Sequence, residues 1–521
     1  MEKTDIKFQR VCVMNNQVIY NYKKTQRIMQ VLGKPRISDL EKYNQLIIVI
    51  PKKESKSIWN LIPQGKKIKE LIKNYSKGSS PAITSRLKNT KQTSLHIGLL
   101  DSELHAFDRL AFSRDMIKSV TQEKAGSLAI WVLGFEADFQ KKYTEEILSA
   151  ALVGQFILPT FKSKSPTQKI TSISLIGHHK KIITKGIVAE SDGNNLTRWL
   201  TALPSNKLDA VSYINLIEQM SNDFNWEIDI FRSDDLKKME AGAFLAVSQG
   251  NDNDSAAIVK LKYKPSSIED PKLISLIGKG IIFDTGGTNL KPFNSMLEMH
   301  IDMNGSAVAL GSLLAITKQK LPIEVDCWLA ITENRTGPLA YKSQDVVKAA
   351  NGKTIQTIHT DAEGRMVLAD TLYFAGQEKP DFMIDFATLT GTCVSALTNN
   401  YSGVFTNQRH MQTILKEIGE DCGERVWPFP IGSEFLVKLR SETADLMQCA
   451  PAGGGDHILA ATFLNEFVEE DIPWVHIDLS SANSTGGLAH VPTKITGFGV
   501  RYLLNILKDK RILDNNTSKS L

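Results

Sequence analysis

Long apolar runs are missing from this chain of 521 residues. No stretch offers the roughly 18 consecutive apolar residues that a membrane-spanning helix needs, so no membrane partner is expected. The start, MEKTDIKFQR, lacks the apolar core of a secretory signal, and a cytoplasmic location is the expectation. Cysteine is scarce: Cys12, Cys327, Cys393, Cys422 and Cys449 are odd in number, far apart and without a CxxC pair. That speaks against a disulfide framework and a zinc finger, and for reduced, mostly buried thiols. Internal repeats and low-complexity tracts are lacking as well.

What is present is the balance of a globular protein, with 42% hydrophobic and 23% charged residues. At about 150 residues per domain the length suits two or three units, and two are expected. The net charge of +5 conceals an asymmetry: residues 1–100 carry 20 Lys+Arg against 6 Asp+Glu, leaving 42 against 51 in the rest. Runs such as PKKESK and QGKKIKELIKNYSK read first as a solvated lysine-rich surface, and second as a face for nucleic acid or another polyanion.

Short apolar runs at 44–50 (NQLIIVI), 94–100 (SLHIGLL) and 127–134 (SLAIWVLG) predict buried strands, and 144–158 (TEEILSAALVGQFIL) predicts a helix capped by Thr144. Alternating strands and helices imply an α/β domain. The polar stretches 159–172 and 191–206 read as a hairpin or linker and a junction, placing a boundary near residue 190. Domains are therefore expected at 1–190 and 191–521, the second larger, α/β, catalytic, and built on a mixed central sheet flanked by helices. Within it FLAVSQG (244–250), AAIVKLKY (256–263), LISLIGKG (273–280), EVDCWLAIT (324–332), DFMIDFATLTG (381–391) and WVHIDLSS (474–481) read as strands; 305–317, 365–376 and 459–468 read as helices.

Two stretches concentrate ionisable residues beside glycine in otherwise apolar sequence. In LIGKGIIFDTGGTNLKPFNSMLEMHIDMNGSA (276–307), Lys279 and Asp284 flank the apolar run IIF, and Lys291 and Asp302 follow from a loop and the start of a helix. In IHTDAEGRMVLADTL (358–372), Asp361, Glu363 and Arg365 alternate, which in an extended segment points all three to one side. Carboxylates aimed together repel unless a cation neutralises them, so a metal site is the economical reading. Oxygen ligands from Asp284, Asp302, Asp361 and Glu363 suit Mg²⁺, Mn²⁺ or Zn²⁺. Four carboxylates exceed the need of one ion, and bridging carboxylates hold two ions at about 3.5–4 Å, so a dinuclear hydrolytic centre is expected. Lys279 is then a salt-bridge partner or, as a neutral amine, a ligand. Taken alone, TDAEGR also reads as an ordinary helix start with acidic residues in its first turn.

The motifs GKG (278–280), FDTGG (283–287), Lys291, DMNGSA (302–307) and HTDAEGRM (359–366) resemble those of the leucine aminopeptidases, or cytosol aminopeptidases. GAFLAVSQG (242–250), ATLTGTCVSAL (387–397), GGG (453–455) and TGFGVR (496–501) extend the resemblance over residues 190–505 in the same order. The resemblance implies two divalent ions per subunit, Mn²⁺ or Zn²⁺ and alternatively Mg²⁺. Asp284 and Glu363 would bridge them, Asp361 would complete the more exchangeable site, and Lys279 with Asp302 the tighter one. Lys291 would stabilise the oxyanion. Arg365 would hold a bicarbonate ion or water acting as general base on a metal-bridging water. Met299, Thr388 and Leu389 would surround an apolar first residue such as leucine. Peptide substrates and a homohexamer are the implied partners.

Departures from the family pattern are His359 for Asn, Thr285 for Ser, Asn304 for Gly, and Asp456-His457 where small or apolar residues are usual. None removes a ligand, and His359 reads as a packing or hydrogen-bonding residue because no second histidine accompanies it. A phosphoesterase would use a similar centre, but the motif order favours the peptidase. The reading from another class is an architectural or regulatory DNA-binding role for the basic first hundred residues.

Overall fold

The computed structural model describes residues 27–513 apart from 54–56, 74–81, 165, 168, 252–254 and 267. Cys12, parts of both basic runs and the polar tail from 514 onward lie outside the described residues. Two sheets carry the molecule. The first has the order β1-β6-β5-β2-β4-β3, from β1 (Ile28–Leu32), β2 (Gln45–Pro51), β3 (Ala82–Arg86), β4 (Ser94–Leu100), β5 (Gly126–Val132) and β6 (Ile170–His178). All its pairings are parallel except β3 with β4.

The second sheet adds β7 (Glu227–Arg232), β8 (Ala257–Tyr263), β9 (Leu273–Asp284) and β10 (Glu324–Asn334). Two short strands, β11 (Val346–Lys348) and β12 (Thr354–Gln356), follow before β13 (Phe382–Ala387), β14 (Ser402–Thr406) and β15 (Val426–Pro428). The last two are β16 (Leu446–Met447) and β17 (Trp474–Asp478). Eight of these form a mixed sheet in the order β15-β14-β17-β13-β9-β10-β8-β7, while β11, β12 and β16 make a small separate sheet. β9 pairs in parallel with β10 on one side and β13 on the other. The chain order reverses between those neighbours, so the carboxyl end of β9 borders a topological switch point, where α/β proteins build their sites.

Helix Asn304–Gln319 covers one face of the large sheet and helix Glu363–Gln377 the other. Both are apolar nearly all round, as helices packed on both sides must be. The α/β class and the mixed, helix-flanked sheet agree with the sequence reading.

Several local readings are corrected. Residues 244–250 are not a strand but lie mostly in helix Gly242–Ser248, because the buried Asp370 carboxylate accepts the Phe244 amide at 2.8 Å and so satisfies its first turn. The helix read from 144 begins at Ala137; in its first two turns only Phe139 and Tyr143, four residues apart, interrupt a polar and charged stretch. Thr144 lies mid-helix, its hydroxyl donating to the Gln140 carbonyl at 2.8 Å. Much of 191–206 is the second half of helix Lys185–Thr201, and residue 190 lies within that helix. Its polar side chains are buried and bonded: Asn194 donates to the Thr496 and Gly497 carbonyls, both at 3.0 Å, and Thr197 to Ala307 at 2.9 Å. Composition suggested a surface, whereas tertiary hydrogen bonding made an interior.

Candidate metal centre

Strand β9 places the first charges. Its alternation sends Gly278 and Gly280 toward helix Asn304–Gln319, where a Cβ on Gly278 would come within 2.5 Å of the Ser306 Cα. Lys279 faces the opposite side, beside Gly364, where a Cβ would come within 2.7 Å of the lysine Nζ. Asp284 lies five residues further on, and strict alternation would send it to the other face. An extra residue in β9, opposite the interval Thr332 to Asn334 of β10, shifts the alternation and returns Asp284 to the lysine's side. The sequence reading had charge at both ends of a strand or strand pair; it is one bulged strand.

Lys279 is 2% exposed and lies 2.7 Å from Asp302 Oδ2 and 2.9 Å from Glu363 Oε1, and it donates to the Thr388 carbonyl at 2.9 Å. Asp302 sits in the 3-10 turn Met299–Met303 and accepts from the Thr388 hydroxyl at 2.7 Å. Lys291 bridges Asp284 Oδ2, at 2.8 Å, and Asp361 Oδ1. Ligand oxygens of Asp284, Asp361 and Glu363 lie within 4.8 Å of one another.

Burial, together with neighbouring carboxylates, raises Asp302 and Glu363 to about 7 and Asp361 to about 6. The lysines are both pushed up: burial opposes their charge, but Asp302 and Glu363 around Lys279, and Asp284 and Glu363 around Lys291, outweigh it. Four carboxylates face two ammonium groups, and divalent cations are the chemistry that balances such a set. The donor set fits hard or borderline ions.

The alternating-extended picture of Asp361, Glu363 and Arg365 is corrected. Asp361 lies in a turn, whereas Glu363 opens helix Glu363–Gln377 and Arg365 sits in its first turn. The 2%-exposed Arg365 guanidinium donates to the Gln448 carbonyl at 3.1 Å and to Asp456 Oδ2 at 2.7 Å. Met299 begins the turn that carries Asp302, and Thr388 and Leu389 directly follow β13. Leu389 donates its amide to Asp478 Oδ1 at 3.2 Å.

Residues that sequence reasoning missed hold the centre in place. Asn334, at the end of β10 and fully buried, donates to Asp284 Oδ1 at 2.7 Å, the Thr360 carbonyl at 3.1 Å and Glu363 Oε2 at 3.3 Å. Tyr341 donates to the Thr360 carbonyl at 2.8 Å. Gln448 accepts the amides of Ile358 and His359 and donates to the Ala362 carbonyl. A polar residue ending an apolar strand, as in LAITEN, was the available signal for Asn334.

The departures also find their places. His359 Nδ1 accepts the Asp361 amide at 3.3 Å, a hydrogen-bonding role. Asn304 is buried against Thr201 Oγ1 at 2.9 Å. His457 bonds Thr392 and stands edge-on to Phe429 at 4.6 Å. A cavity of about 230 Å³ opens beside the centre, lined by His359, Asp361, Ala362, Cys449, Asp456 and Leu459 among others.

An acidic cluster threaded with lysines at the carboxyl ends of parallel strands could hold metal ions, as in a hydrolase of the metal-assisted class. The model of the cytosol aminopeptidase family, catalytic domain, matches residues 195–504. A probable cytosol aminopeptidase of Prochlorococcus marinus (strain MIT 9211) is 37% identical over 420 residues, covering 78% of this chain and 83% of that protein. The crystal structure of cytosol aminopeptidase from Coxiella burnetii, 26% identical, superposes with a TM-score of 0.77 over 92% of this chain and 98% of that one. A tomato leucine aminopeptidase variant, 23% identical, shares the fold at a TM-score of 0.82 over 94% and 97% of the two chains. The chain belongs to the cytosol aminopeptidase family, and it is an aminopeptidase, a hydrolase.

Proposed function

We propose that this aminopeptidase is metal-dependent, removes N-terminal residues from peptides, and favours an apolar first residue such as leucine. The observation that carries the reading is the convergence of Asp284, Asp361 and Glu363 beside two buried lysines. Two divalent ions suit the set, Mn²⁺ or Zn²⁺ with Mg²⁺ as the third choice. Asp284 and Glu363 would hold both, Asp361 one, and Asp302 with Lys279 the other. Lys279 would join as a neutral amine, a bound cation then neutralising Asp302 and Glu363 in place of its ammonium. The chemistry that bound ions would supply is acidification of the attacking water and a place for the free substrate amine, which would restrict cleavage to the first residue.

Lys291, held between Asp284 and Asp361, donates to the scissile carbonyl oxygen as negative charge develops there. Met299, Thr388 and Leu389 border the Asp302 and Lys279 side and receive the first side chain. Arg365 anchors the group that acts as general base. Residues 191–521 carry this chemistry, and residues 1–190 form the basic accessory unit of a cytoplasmic homohexamer, which light scattering would check.

The test compares leucine amide with its N-acetyl derivative at matched pH. Blocking the amine is expected to abolish cleavage, whereas replacing the leucine side chain tunes it by about 1–3 kcal/mol per methylene. Activity should rise toward mildly alkaline pH, since a peptide amine titrates near about 8. Equal hydrolysis of both compounds would show that the centre does not read the N-terminus.

A further inference from the structure

The resemblance to the aminopeptidase family leads one to expect a bicarbonate ion or water on Arg365, yet the arginine already has an anion. Asp456 Oδ2 sits 2.7 Å from Arg365 Nη2, and the guanidinium is 2% exposed. Asp456 opens helix Asp456–Asn465, directly after the GGG run. Gly453 and Gly455 have φ of +108° and +79°, conformations that other residues reach only with strain, and Gly455 is the residue from which the helix starts. An acidic first residue suits a helix start, but that preference alone would leave the carboxylate in solvent. Here it is turned onto a buried cation instead.

Two further observations give the pair a direction. Arg365 Nε is buried and has no hydrogen-bond partner, so the guanidinium edge keeps a second donor. Asp456 also lines the cavity that Asp361 lines, so the carboxylate stands on the wall of the space beside the metal-binding cluster. The neighbouring departure, His457, is used otherwise, tied to Thr392 and Phe429. Asp456 is therefore the one of the two that faces the chemistry.

We infer that Asp456 is the protein's own carboxylate in the Arg365 fork, taking the place of an exogenous anion and making the enzyme independent of bicarbonate. The inference rests on the aminopeptidase reading above. In the step it serves, the attacking water gives a proton to the Asp456 carboxylate as its oxygen bonds to the scissile carbonyl carbon. The proton then passes to the leaving amine nitrogen as the carbon–nitrogen bond breaks, and the carboxylate is regenerated.

The experiment uses the full chain in carbon-dioxide-free buffer, as wild type, D456A, D456N and D456E. Wild-type turnover of leucine amide should not change when bicarbonate or formate is added. D456A and D456N should lose about 100-fold in turnover, the scale of a general base, with metal content retained. Formate or bicarbonate should restore much of the loss in D456A, and D456E should keep more activity than D456N. A readout independent of turnover is the melting temperature of the metal-free protein, which formate should raise in D456A and leave unchanged in wild type. Stimulation of wild type by bicarbonate, full activity of D456A, or a defect that neither anion repairs would each overturn the inference. If wild type fails to cleave leucine amide at all, the aminopeptidase reading falls. The formate response of metal-free D456A then still decides whether Asp456 fills the Arg365 site.

Discussion

The two sheets of this molecule share a parallel core flanked by helices and differ in what stands at the strand ends. In the first sheet β2, β4 and β5 end on Pro51, Leu100 and Val132. In the second, β9 and β10 end on Asp284 and Asn334, and β13 runs directly into Thr388. Among the described residues, the one cluster of three or more metal-type ligands is Asp284, Asp361 and Glu363. The comparison teaches that architecture supplies a place for chemistry and that a few residues decide whether it is used. A bulge, two glycines beside Lys279 and one at Gly364 turn a core strand into a charged wall.

The largest expected effect tests that wall directly. Asp284→Ala should release both ions and lower turnover by about a thousandfold or more, since several kcal/mol of charge stabilisation go with them. Metal analysis by atomic emission, beside turnover, checks it; a mutant that keeps both ions would show that Asp284 does not bridge. Lys291→Ala should cost about 100-fold in turnover with metal content unchanged. Near wild-type turnover would reassign Lys291 to structure.

A pH comparison sharpens the contrast further. Asp302 and Glu363 are raised to about 7 and Asp361 to about 6, above the ordinary carboxylate value of about 4. Their protonated forms are thus favoured in the fold, so the stability they contribute is full below about 4 and is lost as pH rises to about 7. Saturating Mn²⁺ should therefore raise the melting temperature more at pH 7.5 than at pH 5.5. A rise that is equal at both values would contradict the pairing of cations with these carboxylates.

The smallest effect on turnover belongs to the first sheet. Ile48→Ala, at a fully buried position of β2, should cost about 2–5 kcal/mol of stability, read by denaturant unfolding. Turnover per folded molecule should be unchanged. A large loss of turnover in the folded mutant would mean that the two sheets are coupled in catalysis.

Much of this is legible in the sequence. Runs such as NQLIIVI and LISLIGKG are strands because β-branched residues buried on both faces leave few alternatives. Lys279, Asp284, Asp302, Asp361 and Glu363 stood out because buried charge is costly and so must answer to something. FLAVSQG misled because a short apolar run suits strand and helix alike, and the side chain that satisfies its first turn, Asp370, lies 126 residues away from Phe244. The polar stretch 191–206 misled because its hydrogen-bond partners come from residues 307, 496 and 497.

By itself the sequence determined the class of fold, the charged motifs and the family they resemble, because these are local patterns of polarity and residue type. Only the tertiary structure decided which face Asp284 takes, that Asn334 joins it, and that Arg365 pairs with Asp456. Those outcomes depend on a bulge opposite β10 and on a contact between residues 91 positions apart. Such relations exist only once the chain has closed on itself, since long-range contacts carry no local signature in the residues that make them.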